Sequence, residues 1–309
     1  MTALGALSLV AAALFMTLEA RGNWSFVLPF RATKLAGLVL VAVAVAVATV
    51  VFQTITRNRI LTPGIMGFGA LYVLIQTVLV FGLGSARVAG IDPRALFAAE
   101  VALMLVFAGL LFRALFGGST RSLHLLLLVG IVCGTLFASI AGLLQRLIDP
   151  GEFLILQDRL FASFNGIDDT LLGTAAIVVA AVCAVLWRWL PVLDVLALGR
   201  EHAIALGVAQ DRMVALALGL VTILVAVSTA LVGPIAFLGL LVANLAYMLL
   251  PTARHAVLLP GAALIAVICL VGGQTLLERV LSYDTVLAVV IEFAGGLVFL
   301  LLVIKGATR

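Results

Sequence analysis

Charge is the scarcest thing in this sequence. Only 10% of its 309 residues are Asp, Glu, Lys or Arg, where a soluble domain carries about 25%. That excludes an ordinary water-soluble globule. The net charge of +4 is scattered, with no run of basic residues, which excludes nucleic acid as a partner. The three cysteines, Cys133, Cys183 and Cys269, each lie inside an apolar stretch. Without clustering they read as small packing residues, neither a disulfide framework nor a metal site. The histidines His124, His202 and His255 are far apart and lack ligand spacing, so neither metal nor cofactor is expected. There is no GxxxxGK[ST] phosphate loop, so any ATP hydrolysis belongs to another subunit and this chain is not itself an enzyme. No Lys or Arg precedes the first apolar run, Ala3–Leu18. A cleaved signal peptide would carry one, so this run reads as a retained span.

What the chain has in abundance is apolar length. It is 65% hydrophobic, with a mean hydropathy of +1.34. Only helices or closed barrels satisfy the backbone in lipid, and unbroken apolar runs mean helices. Ten spans are expected: Ala3–Leu18, Leu35–Phe52, Gly64–Leu83, Ala95–Phe116, Leu123–Ile148, Leu171–Leu190, Met213–Val232, Ile235–Leu250, Val257–Leu281 and Val286–Ile304. The class is an all-α polytopic membrane protein with one transmembrane domain, 1–309. With the N-terminus in the cytoplasm, Lys and Arg fall slightly more often inside (Arg121, Lys305 and Arg309 among them) than outside (Arg21 among them), as the positive-inside rule prefers. Asp149, Glu152, Asp158, Asp168 and Asp169 then share one outside loop.

One polar island interrupts this pattern, from Asp194 to Val208, and the same orientation puts it in the cytoplasm. Val195, Leu196, Leu198, Ala203 and Leu206 alternate there with Arg200, Glu201 and His202. The pattern suits a short amphipathic helix or helix pair, apolar side inward. Gly199 and Gly207 permit helix ends or sharp turns. Such a protrusion either docks in a groove on a partner or is a solvated connector. At the outer start of the second span, Arg31 and Lys34 share a helix face; they either grip an acidic partner or anchor the interface by snorkelling. Glu292 lies mid-span. A lone acid there costs about 3 kcal/mol, so it should face the bundle interior or a wet cavity, with Gln53, Gln76, Gln145 or Gln274 as partners or pathway lining. As the only intramembrane acid in this reading, it is what a secondary transporter would use.

A repeat is visible. The second span leads into Asn58-Arg-Ile-Leu-Thr-Pro-Gly-Ile-Met-Gly-Phe-Gly-Ala70, and the seventh into Gly233-Pro-Ile-Ala-Phe-Leu-Gly-Leu-Leu-Val-Ala-Asn244. Each is a long apolar helix, a Pro/Gly break, then a glycine-bearing helix. An odd repeat of five spans makes two halves of opposite topology.

These segments resemble the FecCD/BtuC family of ABC-transporter permeases, over nearly the whole chain. Leu198-Gly199-Arg200-Glu201-His202-Ala203-Ile204-Ala205-Leu206-Gly207-Val208 looks like the family's LG-x-x-x-A-x-x-LG-V element. Gly233-Pro-Ile-Ala-Phe-Leu-Gly-Leu is similar to its G-x-I-x-F-x-GL segment, and Asn58-Arg-Ile-Leu-Thr-Pro63 to its N-P-L-A-x-P stretch. Arg31-Ala-Thr-Lys34 resembles its R-L-P-R element, with Lys and Thr where the family has Arg and Pro. Ala243-Asn244, Tyr247 and Gln274 depart from its usual Pro-His, Arg and Asp. Phe52–Pro63 looks like the branch that pairs unlike permeases to import catecholate-type ferric siderophores; that branch often has a polar amide where Glu292 stands.

The resemblance implies a type II ABC importer in the bacterial inner membrane. It implies an ABC ATPase, a second and non-identical permease, a periplasmic or lipid-anchored binding protein, and a ferric siderophore arriving already chelated. Residues 194–208 would be the coupling element on the ATPase, with Arg31 and Lys34 meeting the binding protein. A cobalamin or haem permease of the same family, a secondary transporter using Glu292, and a structural or assembly protein are the alternatives.

Overall fold

The computed structural model describes residues 1–18, 24–116, 123–279 and 287–306. Arg21, Arg121, Leu281, Val286 and Arg309 lie outside the described residues, as do the side chains of His124 and Lys305. The elements run α1 (Thr2–Thr17), α2 (Trp24–Thr56), a 3-10 turn (Pro63–Met66), α3 (Phe68–Leu83), α4 (Ser85–Ala89), α5 (Pro93–Phe116), α6 (Leu123–Gln145), α7 (Pro150–Leu160), α8 (Asp169–Arg188), α9 (Leu190–Ala197), α10 (Arg200–Ala205), α11 (Gln210–Val232), α12 (Leu238–Leu249), α13 (His255–Arg279) and α14 (Leu287–Gly306). Each expected span has its helix. Six of them, α2, α5, α6, α8, α11 and α13, are long and apolar enough to cross a bilayer; α1, α3 and α12 are shorter apolar helices, and α14 is apolar over Leu287–Leu297.

α2 is the mast of the bundle. It packs against α13, α11, α12, α8 and α9. Its stretch Val39-Leu-Val-Ala-Val-Ala-Val-Ala-Val-Ala48 alternates like a strand. In a helix the same alternation spreads small residues around every face. Ala42, Ala44, Ala46 and Ala48 are all within 1% of full burial, so neighbouring helices approach closely on several sides. Small residues do this work in membranes, where apolar surface gains little by leaving lipid.

The two halves interlock. α2 of the first half packs on α13 of the second, and α11 of the second packs on α5 of the first. The two Pro/Gly breaks meet between them. Gly67 and Gly233 adopt φ +88 and +96, and a Cβ on Gly69 would lie 3.5 Å from Pro234. Both breaks line one cavity of about 290 Å³, with Thr62, Pro63 and Gly64 on one side and Gly233 to Phe237 on the other. Non-helical backbone at membrane depth is tolerated where it is buried in protein or lines a cavity, and this is such a place. α3 and α12 are short because each is preceded by its break.

At the start of α12, Gly239 lets Thr49 of α2 come close. A Cβ there would stand 2.2 Å from the Thr49 hydroxyl oxygen. Gly239→Ala is expected to destabilise the chain by about 1–3 kcal/mol through overpacking. Thr49→Ala in the same chain should return much of that loss, as read by thermal unfolding in detergent. No recovery in the double variant would mean that the contact is not what limits this crossing.

Candidate functional site

The island folds into α9 and α10 at one end of the bundle. α9 carries Pro191 in its first turn and buries Leu190, Leu193 and Leu196. Gly199 (φ +102) turns the chain into α10, and Gly207 (φ +81) ends it. The end is a Schellman arrangement: Val208 N–H donates to Ala203 O and Gly207 N–H to Ile204 O, each at 2.9 Å. Arg200, Glu201 and His202 are exposed at the tip, and Arg200 pairs loosely with Asp211 at 3.7 Å. Ala203 points into the bundle, as the amphipathic pattern requires. Leu198 and Leu206 do not: they are 55% and 60% exposed, alongside Ile204 at 56%. The expectation of an inward apolar side is corrected for these two. α10 has only six residues, so one position faces down, and the turns at Gly199 and Gly207 swing Leu198 and Leu206 outward. The tip therefore offers three apolar side chains ringed by charge.

The floor beneath the tip is made by the end of α2 and the turn after it. Arg57, at φ +52, lays its guanidinium against Gly199, where a Cβ would be 2.9 Å from Nη1. Gln53 is 2% exposed, and its amide Nε2 donates to Arg59 O at 2.8 Å. Arg59 in turn stacks over Tyr247, 4.5 Å from the ring centroid. Gln53, Arg57, Arg59 and Tyr247 line a second cavity of about 520 Å³ beneath the island. Gln53 thus braces a turn at the island end.

At the opposite end, Arg31 and Lys34 do share a helix face, but that face is turned inward. Arg31 is 9% exposed, and Nη1 donates to the carbonyls of Phe15, Met16 and Leu18 at 3.2, 3.0 and 3.0 Å. It closes the C-terminal end of α1, where orphan carbonyls need a donor. Lys34 is 4% exposed and pairs with Glu278 and Asn165. The surface at this end is supplied instead by α7, which fills the loop expected between the fifth and sixth spans, and by exposed Arg87, Asp92, Arg94, Arg146, Asp149, Asp158, Asp168 and Asp169. Asp168 caps α8; hydrogen bonds from the side chain and N–H of Thr170 and from the N–H of Leu171 hold its carboxyl below the usual carboxylate range. The cap is in place above that pKa and is lost as pH falls through it.

The intramembrane acids are not as expected. Glu292, expected to face the bundle interior or a wet cavity, is exposed on the surface of this single chain, next to Phe293 at 71% exposure. It is also not alone. Glu100 in α5 is 2% exposed and accepts from Gln76 Nε2 at 2.7 Å. Glu278 near the end of α13 accepts from Lys34 and from Gln274 Nε2, the latter at 2.9 Å. Both acids stand inside predicted spans; one acid barely changes the hydropathy of a long window, so averaging hides it. Gln145 donates to Thr77 at 3.1 Å. Three of the four glutamines thus bond to side chains on their own or neighbouring helices, and two of these hold a buried acid.

Known proteins resemble this chain throughout. The profile of the FecCD transport family matches residues 2–305. A petrobactin import system permease protein of Bacillus subtilis (strain 168), YclO, is 48% identical over 97% of this chain and 95% of its own length. Its counterpart FatC in Bacillus anthracis is 35% identical, covering 89% of this chain and 78% of that protein. Among solved structures, an inward-facing metal-chelate-type ABC transporter superposes with a TM-score of 0.86 over 98% of both chains, at 23% identity.

The Lys34–Glu278 pair yields a direct test of the inward-facing geometry. Removing one partner of a buried pair strands the other charge and costs about 3–5 kcal/mol. Lys34→Met should therefore lower stability strongly, while Lys34→Met with Glu278→Leu should be closer to the parent chain. Thermal unfolding of the two variants side by side checks this; a Lys34→Met chain as stable as the parent would place Lys34 in solvent.

Proposed function

Because the chain belongs to the FecCD transport family, we propose that it is one membrane-spanning half of an ATP-driven importer of ferric siderophores. The match to a petrobactin import permease, spanning nearly all of both chains, carries this reading. Petrobactin-type ferric complexes are the proposed cargo. The chain works with an ABC ATPase, a substrate-binding protein and a second permease, which we take to be non-identical. It lies in the bacterial cytoplasmic (inner) membrane with its N-terminus inside, which puts α9 and α10 on the ATPase side.

The mechanism is alternating access. A loaded binding protein settles on the outer face, where exposed Arg87, Arg94 and Arg146 can meet acidic groups. Arg31 and Lys34 stiffen that face from beneath by tying α1, α2 and α13 together. ATP closes the ATPase dimer below. Leu198, Ile204 and Leu206 enter its surface, Gly199, Ala203 and Gly207 set their spacing, and Arg200, Glu201 and His202 fix the register. A few apolar residues inside a charged rim is the arrangement that concentrates binding energy at an interface. The motion reaches the two breaks through the helices that carry them, α2 and α11. The cargo arrives chelated, so the chain needs a wide path and no iron ligands. Glu292, exposed on this chain alone, is expensive against lipid and is placed toward the shared pathway or the second permease, together with the cavity between the breaks.

Uptake of radiolabelled ferric petrobactin into vesicles holding the complete assembly tests the reading. ATP-dependent uptake is expected. Leu206→Asp with Glu201→Arg should reduce both bound ATPase and uptake by about tenfold or more, the scale of losing an interface hot spot. Uptake without ATP, or uptake that survives scrambling of 198–207, contradicts the reading.

A further inference from the structure

α13 starts without a cap of its own. The residues before it, Pro251 to Arg254, place no side chain on the N–H of His255. The cap comes from elsewhere in the fold. Asp194 of α9, 61 positions earlier, accepts the His255 backbone N–H at 2.8 Å with the same oxygen that lies 2.6 Å from His255 Nδ1. An acid at a helix N-terminus is favoured by the helix dipole as well as by the hydrogen bond. The imidazole is 2% exposed. Its other nitrogen, Nε2, lies 2.7 Å from the hydroxyl of Thr54, near the end of α2. Thr54 also donates to Val50 O at 2.8 Å.

One buried ring thus joins α9 to α13 and α2. His255 and Thr54 are buried, at 2% and 7% exposure, and Asp194 holds the ring from the rim with a side chain 38% exposed. Breaking one strands a buried polar group, so the set holds together or opens together. It also sits where a link is needed. α10 at the tip is bounded by two glycine turns, and a load on such a tip could be absorbed as hinge bending. α9 is the segment between that tip and the core, and it touches α2 and α13.

We propose that His255 is a positioning residue for coupling: clamped between Asp194 and Thr54, it makes the island, α2 and α13 move as one body when the ATPase pulls on the island. This rests on the coupling role given to the island above. The clamp lies outside the exposed tip, so it transmits movement without taking part in docking.

The test uses the complete assembly in vesicles and reads three things: siderophore moved per ATP hydrolysed, ATPase retained on purification, and thermal stability. His255→Ala and Thr54→Val should each lower transport per ATP about tenfold, the size of a network coupling effect, with the ATPase still bound. Thr54→Ser keeps the hydroxyl and should restore the ratio, which a role in bulk packing would not predict. Should His255→Ala fail to fold, the Thr54→Val and Thr54→Ser pair decides alone. An unchanged ratio in Thr54→Val overturns the clamp, as does a fall that merely tracks lost ATPase. A parent assembly that moves cargo without ATP would overturn the importer reading itself, before any variant is compared.

Discussion

Inside a bilayer an unpaired backbone N–H or C=O has no water to turn to, and each one costs several kcal/mol. The rest of this structure follows from that constraint. It makes every apolar run a helix. It forces the two non-helical breaks, around Gly64 and Gly233, to meet each other around one cavity instead of facing lipid. It also accounts for two charged side chains at helix ends. Arg31 closes the carbonyl end of α1, and Asp194 closes the N–H end of α13. In each case a helix end near the core is capped by a side chain distant in sequence, and the cap becomes a tie between elements.

These ties separate the two ends of the bundle by task. At the end opposite the island, Lys34 and Glu278 lock the start of α2 to the end of α13. At the island end, Asp194, His255 and Thr54 lock the end of α2 to the start of α13. α2 and α13 are thereby fastened to each other at both ends, with close packing between. In the proposed coupling role, a load applied at the island is felt along the whole pair, and α2 carries it to the first break.

The ten helices were legible because apolar length is a strong signal and the membrane leaves few alternatives. Gly199 and Gly207 were legible as turns because a short helix between two glycines has little other reason to be bounded so. The direction of Arg31 and Lys34 was not. Their three-residue spacing puts them on one face, yet whether that face looks in or out depends on Glu278, 244 positions away. Leu198 and Leu206 misled for a related reason: periodicity assumes one continuous helix, and two left-handed glycines break the phase. Glu100 was missed because its neighbours are apolar; only the fold shows that Gln76 is there to receive it. His255 stood out merely as an isolated histidine, since its partners, Asp194 and Thr54, come from two separate helices.

This chain is proposed to work as one half of a pair driven by a separate ATPase. The most direct measurement is affinity purification of the intact chain from its own membrane in mild detergent, with mass identification of what accompanies it. An ABC ATPase together with a second, similar but non-identical permease is expected to accompany it. The chain alone, or a homodimer with no ATPase despite intact folding, would contradict it.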